Sequence, residues 1–176
     1  MTIHIAGRPI GPEHQPFVIA EMSGNHNQSL ERTLSIVEAA AEAGAHAIKM
    51  LNYTADTMTL DVRCGSFEIN DPDSLSAGLY LHNLDKLAYT PWELHGPIMY
   101  WAGQHRLICL GSPFDESAVE ELEDPSYKIA SFENNHLPLI RRAASTSNPL
   151  IISTSMAIFA ELEQALAAAL TLVAVI

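Results

Sequence analysis

Short apolar runs that end in polar side chains recur five times in this chain and constrain its fold more than any other feature. Each run has the length of a buried strand, and helical patterns separate them. The runs are Phe17-Val18-Ile19-Ala20-Glu21, Ala47-Ile48-Lys49, Leu107 to Pro113, Tyr127 to Glu133 and Ile151-Ile152-Ser153-Thr154. Alternating strands and helices predict a parallel sheet, and a (β/α) barrel builds its active site from polar groups at the carboxyl ends of such strands.

The predicted order is a small hairpin followed by five βα units. The hairpin domain covers residues 1–15 and turns at Gly7-Arg8-Pro9, and an incomplete TIM-type barrel of the α/β class covers 16–176. A complete eight-stranded barrel takes about 250 residues. The strands are predicted at 17–22, 46–51, 107–110, 127–131 and 150–153, with a possible sixth beginning in 171–176.

Helix signals fall between these strands. Asn27 or Ser29 caps the first helix, which is predicted to present Leu30, Leu34, Val37 and Ala41 on one face and to stop at Gly44. The other helices are predicted to begin near Thr90-Pro91, Asp115, Leu137 and residue 158. A long polar insertion at about 53–88 separates the second strand from the third.

The charge balance excludes two classes of partner. Nine Lys and Arg residues stand against 21 Asp and Glu, a net charge of −12, which argues against nucleic acid and anionic membranes. Two of the three lysines, Lys49 and Lys128, fall on predicted strands. Burying an unpaired lysine costs several kcal/mol, so each needs a counterion or a ligand.

The cysteines and the apolar segments predict a cytoplasmic protein. Cys64 and Cys109 have no metal or redox spacing and are expected to be reduced thiols. The first residues lack the basic and apolar regions of a signal peptide. The apolar run at 165–176 is too short for a membrane span, which takes about 20 residues.

Five segments together resemble the sialic acid synthase family, and Ser131-Phe132-Glu133 with Tyr89 to His95 is most like its pseudaminic acid branch. The segments are residues 19–27, 47–49, 111–116, 127–133 and 151–154. These enzymes condense phosphoenolpyruvate with an N-acetylated amino sugar to give a nine-carbon nonulosonic acid and phosphate. The resemblance therefore implies a transferase that forms a C–C bond.

The resemblance implies a role for eight residues. Lys49 and Lys128 match positions that contact phosphoenolpyruvate, whose carboxylate and phosphate suit an ammonium partner. Glu21 and Glu133 match catalytic carboxylates that face the sugar and can hold a hydroxyl or handle a proton. The remaining substrate-binding positions are Asn25, Ser112, Ser131 and Ser153.

Several of these residues have structural alternatives. Lys49 and Lys128 could form structural salt bridges, and Glu133 could be solvated. Strict strand alternation puts Lys128 and Ser131 on opposite faces, so one of them lies beyond the regular strand or outside the site. His26 could hold its loop by hydrogen bonds or touch substrate. Three other histidines are expected on solvated helix surfaces: His82, His95 and His105.

The family's cofactor and assembly are also implied. Its members use a divalent metal, Mn or Mg, to polarise the sugar aldehyde, and full-length chains are expected to be homodimers. A small C-terminal antifreeze-like domain of one subunit covers the partner's site. This sequence stops before the two metal-binding histidines of later strands and before that domain. The expectation is that the chain holds no metal and is inactive or nearly so alone.

The sequence departs from the family at several positions, which keeps two alternatives open. Leu51 replaces the glutamine expected to contact the sugar, Asn52 stands where Thr or Ala is usual, and Ser155 replaces a glycine. Ser76 to Leu79 replaces a Trp-Asp-Gly-Arg-like stretch. One alternative is a non-catalytic chain that acts only as an association partner. The other is a related aldolase that uses phosphoenolpyruvate to make a seven-carbon sugar acid.

Overall fold

The chain opens with a β-hairpin, as predicted. The structure is a computed structural model that describes residues 2–170, so the possible sixth strand at 171–176 lies outside it. Strand β1 (Ile3–Ile5) pairs antiparallel with β2 (Arg8–Ile10). The turn lies at Ala6 and Gly7, both with positive φ. Arg8 and Pro9 belong to the second strand rather than to the turn.

A five-stranded parallel sheet follows, in which each strand lies beside the next strand along the chain. The strands are β3 (Ile19–Glu21), β4 (Ala47–Asn52), β5 (Ile108–Pro113), β6 (Tyr127–Ile129) and β7 (Leu150–Ile152). All four pairings are parallel. A sheet whose spatial order follows the chain, with a helix after each strand, has the topology of a βα barrel.

Seven helices connect or follow these strands in the described part of the chain. They are α1 (Leu30–Glu42), α2 (Ala55–Met58), α3 (Leu81–Ala88), α4 (Trp92–Gln104), α5 (Glu116–Glu121), α6 (Leu137–Ser145) and α7 (Phe159–Leu170). The insertion after β4 is folded, since it contains α2, α3 and a 3-10 turn over Gly65–Phe67. In this part of the chain, no helix is long and apolar enough to cross a membrane.

The caps of α1 match the sequence signals, and its buried face matches in part. Ser29 accepts a hydrogen bond from the Arg32 N–H, and Gly44 follows the helix with a φ of 83°. Of the predicted face, Val37 is buried and Ala41 packs against the same cluster, whereas Leu30 is 40% exposed. The other buried residues of α1 are Thr33 and Ala40.

The two faces of the sheet bury different sets of side chains. The outer face packs against the helices in two apolar clusters, centred on β4 with α4 and on β6–β7 with α6 and α7. The inner face has a small apolar cluster of Ile5, Ala47 and Leu110, against which Ile10 and Phe17 pack. Because the hairpin supplies Ile5 and Ile10, it closes the amino-terminal end of the inner face. Polar groups on that face are left at the carboxyl ends of the strands.

Candidate functional site

A buried ion pair joins the first two strands of the sheet. Glu21 and Lys49 are direct neighbours in the β3–β4 register. Lys49 Nζ lies 2.5 Å from Glu21 Oε2, with side-chain exposures of 6% and 48%. Burial lowers the pKa of Lys49, while the hydrogen bond and the charge of Glu21 oppose that shift. The glutamate is therefore the counterion that keeps a buried ammonium charged.

Lys128 brings a second ammonium group to the same face. Its neighbours Tyr127 and Ile129 pack in the outer cluster, so alternation directs Lys128 inward. The charge of Lys128 lowers the pKa of Lys49, which requires the two ammonium groups to be close enough to interact. Two ammonium groups on one inner rim have the charge that suits an anion with more than one negative group, and binding of such an anion stays a prediction.

Glu133 lies in the turn after β6 and faces the same charge. Burial raises the pKa of this carboxyl, and a hydrogen bond from its own backbone N–H and the charges of His136 and Lys128 oppose the rise. Its Oε2 is buried and has no hydrogen-bond partner among the described residues. The predicted solvated alternative does not describe this carboxyl, because its burial is the largest cause of the shift.

The three predicted serines lie at the strand ends, in two arrangements. Ser112 is fully buried, and its hydroxyl donates to the Lys128 carbonyl at 2.8 Å, which ties β5 to β6. Ser131 and Ser153 meet each other, Oγ to Oγ, at 2.8 Å. Strand β6 ends at Ile129, so Ser131 lies beyond the regular strand and the alternation conflict with Lys128 disappears. Contact between these serines and substrate stays a prediction.

The loop after β3 is held by buried contacts. Asn25 is exposed, and its Nδ2 donates to the Met22 carbonyl at 3.0 Å. His26 is fully buried: Nδ1 accepts from the Gln28 N–H at 2.9 Å, and Nε2 lies 3.0 Å from Thr90 Oγ1. Since Nδ1 accepts, Nε2 carries the proton of a neutral ring. Burial lowers the pKa of His26, so the loop-holding role fits this histidine.

Two histidines expected on solvated surfaces are buried instead. His82 is 2% exposed, with Nε2 2.8 Å from Asp56 Oδ1. His95 is also 2% exposed, and burial lowers its pKa to about 4. Of the three, His105 alone is partly solvated. The prediction failed because His82 lies against Asp56 of α2, and His95 lies close to His26 of the loop after β3.

Sequence reasoning missed one buried polar pair on the outer face. Asn52 Nδ2 donates to Asp124 Oδ2 at 2.9 Å, across 72 residues of sequence. No local pattern pairs residues so far apart. Gly111, a glycine inside a strand, was the available signal, because such a glycine marks a close approach of other atoms to the backbone.

The described residues do not fit the metal that the resemblance implies. In residues 2–170, no group of three or more His, Cys, Asp or Glu side chains is arranged to hold a metal ion. Cys64 is exposed and Cys109 buried, and both are free thiols. The groups that this part of the chain brings to the inner rim are two ammonium groups, two carboxyl groups and strand-end hydroxyls.

Comparison with known proteins places this site in context. A sequence profile described as the NeuB family matches residues 36–173. The pseudaminic acid synthase of Campylobacter jejuni is 41% identical over 153 residues, which cover 83% of this chain and 43% of that protein. The N,N'-diacetyllegionaminic acid synthase of Legionella pneumophila is 30% identical over 153 residues, 85% of this chain and 42% of that protein.

A solved structure confirms the architecture. The N-acetylneuraminic acid (sialic acid) synthetase of Leptospira borgpetersenii, crystallised with citrate, superposes with a TM-score of 0.81 and 23% identity. The match covers 97% of this chain and 55% of that one, and it shows that the five βα units share its fold. The chain spans less than half the length of the pseudaminic and legionaminic acid synthases it matches.

Proposed function

Because this chain belongs to the NeuB family, we propose that it carries the phosphoenolpyruvate-binding part of a nonulosonic acid synthase. The observation that carries the proposal is the Glu21–Lys49 pair with Lys128 on the same inner face. The names of the relatives support a nine-carbon sugar acid as the product. Pseudaminic acid is favoured, since identity to the pseudaminic acid synthase is 41% and to the legionaminic acid synthase 30%.

The charges of phosphoenolpyruvate match the rim. This molecule has a carboxylate and a phosphate, and Lys49 and Lys128 offer one ammonium group to each. In the absence of an anion, Glu21 neutralises Lys49. An arriving anion shares Lys49 with Glu21 and pairs with Lys128, so binding requires no new buried charge on the protein. The hydroxyls of Ser131 and Ser153 lie at the neighbouring strand ends and donate to the same anion.

The reaction follows from the groups at the rim. C3 of phosphoenolpyruvate attacks the aldehyde carbon of the sugar and forms the new C–C bond, while the aldehyde oxygen takes up a proton. Glu133 supplies that proton, because burial raises its pKa and a carboxyl that retains its proton is a general acid. Water then attacks C2, the C2–O bond to phosphate breaks, and phosphate leaves. Glu21 holds a sugar hydroxyl once Lys49 is shared with the anion.

Leu51 determines part of the sugar-facing surface. It is half-buried, two residues after Lys49, and opposite Ser112 in the β4–β5 register. Alternation therefore places it on the inner face with both residues. Its side chain cannot accept or donate a hydrogen bond, so the group of the sugar that lies against it is apolar. We infer that a methyl or acetyl methyl group, rather than a hydroxyl, fits there.

The 176-residue polypeptide by itself is proposed to turn over little or not at all. Among the described residues, β3 and β7 each have one neighbour, and the sheet is open along both. An open rim admits water, which weakens the electrostatic interactions on which the transition state depends. The measurement is phosphate release with phosphoenolpyruvate, manganese and the candidate acetamido sugars. Clear turnover would refute this part of the proposal.

Both free thiols suit a reducing compartment, and we place the reaction in the cytoplasm.

Binding of phosphoenolpyruvate is tested separately by titration calorimetry. Lys128→Gln should weaken binding by about tenfold or more, the loss expected for a charge-assisted contact. Lys86→Gln is the matched control, because Lys86 is the third lysine and lies exposed on α3. Equal affinity of the Lys128 and Lys86 variants, or no binding by the unmodified chain, would contradict the proposal.

A second candidate, a non-catalytic association partner, is favoured by one observation. Beyond β6 and β7, four large apolar side chains are 67–76% exposed: Phe132, Met156, Ile158 and Phe159. Exposed apolar groups beside an open strand promote association. Light scattering over a concentration series distinguishes the candidates. Binding of phosphoenolpyruvate by a monodisperse monomer supports the synthase, and a stable oligomer that binds none supports the association partner.

A further inference from the structure

The outer face of the sheet holds a polar pair that the proposed reaction does not use. Asn52 ends β4, and Asp124 lies in the connection between α5 and β6. The residues are 0% and 1% exposed, and Asn52 Nδ2 donates to Asp124 Oδ2 at 2.9 Å. Burying two polar side chains against an apolar layer costs free energy unless each of their polar atoms is hydrogen-bonded.

The pair lies directly on the backbone of the strand between them. A Cβ at Gly111 of β5 would be 1.9 Å from Asp124 Oδ2 and 2.5 Å from Asn52 Nδ2. Both distances are far shorter than a van der Waals contact, so only glycine permits this arrangement. The two side chains therefore bridge β4 to the chain that leads into β6, across β5.

Further hydrogen bonds connect Asp124 to the strands on its other side. Tyr127 Oη donates to the Leu122 carbonyl at 2.7 Å and accepts from the Asp124 N–H at 3.3 Å. Asn148 Nδ2, just before β7, donates to the Asp124 carbonyl at 2.8 Å. Asp124 is thus bonded to the end of β4, to β6 and to the segment that leads into β7. Strands β4 and β6 carry Lys49 and Lys128.

We propose that Asn52 and Asp124 form a positioning clamp across Gly111 that fixes the separation of Lys49 and Lys128 on the opposite face of the sheet. The clamp touches no substrate and acts through the strands. The proposal rests on the proposed function only in naming the anion between the two lysines as phosphoenolpyruvate. It adds a control over that site, since the clamp has a group that titrates.

The proton inventory of the clamp indicates how its charge changes with pH. Asp124 Oδ1 and Asn52 Oδ1 are both buried without a hydrogen-bond partner in the described chain. A protonated Asp124 gains a donor, whereas an ionised one leaves a buried charge with a single amide bond. Burial raises the pKa of Asp124 to about 6, against the opposing bond from Asn52. The clamp is therefore uncharged below about pH 6 and holds a buried charge above it.

Two neighbouring titratable side chains, a thiol and a phenol, stay neutral in that range. From β5, the Cys109 thiol interacts with Asp124, and burial raises its pKa to about 12. From β6, burial raises the pKa of the Tyr127 phenol, and Glu123 and Arg142 act on that same phenol. Both the thiol and the phenol stay neutral near pH 6. Asp124 is the group at this position whose charge follows pH there.

Three variants separate positioning from simple stability. Asp124→Asn keeps a hydrogen-bonding side chain that cannot titrate, and Asp124→Val removes the bond. Thr33→Val is the matched control, because Thr33 is a fully buried polar residue on α1 whose hydroxyl donates to the Ser29 carbonyl. Each is studied in the full 176-residue chain by two-dimensional NMR of the Lys128 and Ser112 amides from about pH 5 to 7, and by calorimetric titration with phosphoenolpyruvate.

The expected result has two parts. In the unmodified chain, the chemical shift of the Lys128 amide changes with pH with a midpoint near pH 6. In Asp124→Asn this transition is absent, while any transition caused by Glu133 remains. At about pH 5.5, Asp124→Val binds phosphoenolpyruvate about tenfold more weakly, the scale expected for displaced binding groups. Asp124→Asn stays within about twofold, and Thr33→Val changes neither measurement.

Each contrary outcome has a definite meaning. The proposal is overturned if folded Asp124→Val binds normally, or if the component near pH 6 persists in Asp124→Asn. If Asp124→Val does not fold, the Asp124→Asn titration decides. If the unmodified chain binds no phosphoenolpyruvate, the proposed function fails, and the NMR comparison still supports or overturns the clamp.

Discussion

Two buried polar pairs lie on opposite faces of this sheet and differ in their access to solvent. On the inner face, Glu21 and Lys49 form an ion pair whose carboxylate side chain is 48% exposed. On the outer face, Asn52 and Asp124 form a sealed pair with exposures of 0% and 1%. An ion pair open on one side can exchange its partner for a ligand, whereas a sealed pair with one titratable group can only hold neighbouring strands in place.

Polar residues at nearby positions of one strand thus lie in different environments. Lys49 and Asn52 both belong to β4, three residues apart, and therefore point to opposite faces. The inner position faces the open rim, where a second ammonium group and a second carboxyl group interact. The outer position faces helices and apolar side chains. We therefore propose ligand binding for the inner pair and alignment for the outer pair.

Gly111→Ala should disrupt the outer pair with the largest effect on stability. The new Cβ would lie 1.9 Å from Asp124 Oδ2, so the strand or the pair must move. We expect a loss of about 3 kcal/mol or more in the free energy of unfolding, measured with urea. Gly96→Ala on α4 is the control, since a Cβ there meets nothing within 4 Å and alanine favours the helix by about 1 kcal/mol. Equal stabilities of the two variants would contradict the role assigned to the outer pair.

The pH dependence of stability also distinguishes the two pairs. The pKa of Asp124 is about 6 in the folded state and 3.8 by reference, so between these values the folded state binds more protons than the unfolded state. Stability therefore falls as pH rises from about 4 to 6, and the loss is complete above about 6. Two pKa units correspond to at most about 3 kcal/mol, and about 2 kcal/mol is expected for Asp124.

Asp124→Asn isolates that contribution. Other groups titrate in the same window, including His95, whose lowered pKa makes stability fall as pH drops below about 6.5. The difference between the unmodified chain and Asp124→Asn cancels them. The unfolding free energy of Asp124→Asn minus that of the unmodified chain is measured by urea denaturation at several pH values. This difference should rise from pH 4 to 6 and then stay constant. A difference independent of pH would contradict the assigned pKa.

The inner pair should respond asymmetrically to substitution. Glu21→Gln leaves Lys49 buried without its counterion and should cost about 1.5 kcal/mol near pH 7, a value reduced because Glu21 is half exposed. Lys49→Met leaves Glu21 in solvent and should change stability by less than about 0.5 kcal/mol, while abolishing binding of phosphoenolpyruvate. Urea denaturation measures the changes in stability, and calorimetry measures the loss of phosphoenolpyruvate binding. Equal losses of stability in both variants would show that the pair is purely structural.

Ser112→Ala should have a small effect on stability. It removes one hydrogen bond to the Lys128 carbonyl, which is worth about 1 kcal/mol. If Ser112 acts mainly by tying β5 to β6, Ser112→Thr should restore most of the stability. A loss of phosphoenolpyruvate affinity without a loss of stability would instead assign the hydroxyl directly to the ligand.

Much of the inner face could be predicted from the sequence, because strand ends of a parallel sheet converge on one edge. That rule places Glu21, Lys49 and Lys128 together without any knowledge of the helices. It also flagged the conflict between Lys128 and Ser131, which the early end of β6 removes. The hairpin and the five βα units followed from apolar runs and turn residues, which are local signals.

The outer face and the helix surfaces were harder to predict for a physical reason. The Asn52–Asp124 bond joins residues 72 positions apart, and nothing local to Asp124 indicates burial. His82 and His95 are each 2% exposed. His82 contacts the Asp56 carboxylate and His95 lies near His26, contacts that apolar periodicity does not indicate. The contact face of α1 is rotated from the predicted one, since Val37 is buried as predicted but Leu30 is exposed.

A crystal structure of this chain grown with phosphoenolpyruvate would show whether Lys49 and Lys128 share one ligand. We predict one phosphoenolpyruvate molecule on the inner rim, with oxygens within hydrogen-bond distance of both Lys49 Nζ and Lys128 Nζ, and Glu133 facing the open side. Phosphoenolpyruvate bound elsewhere, or Lys49 and Lys128 found in separate environments with Glu21 still the sole partner of Lys49, would contradict the assignment of this rim as the binding site.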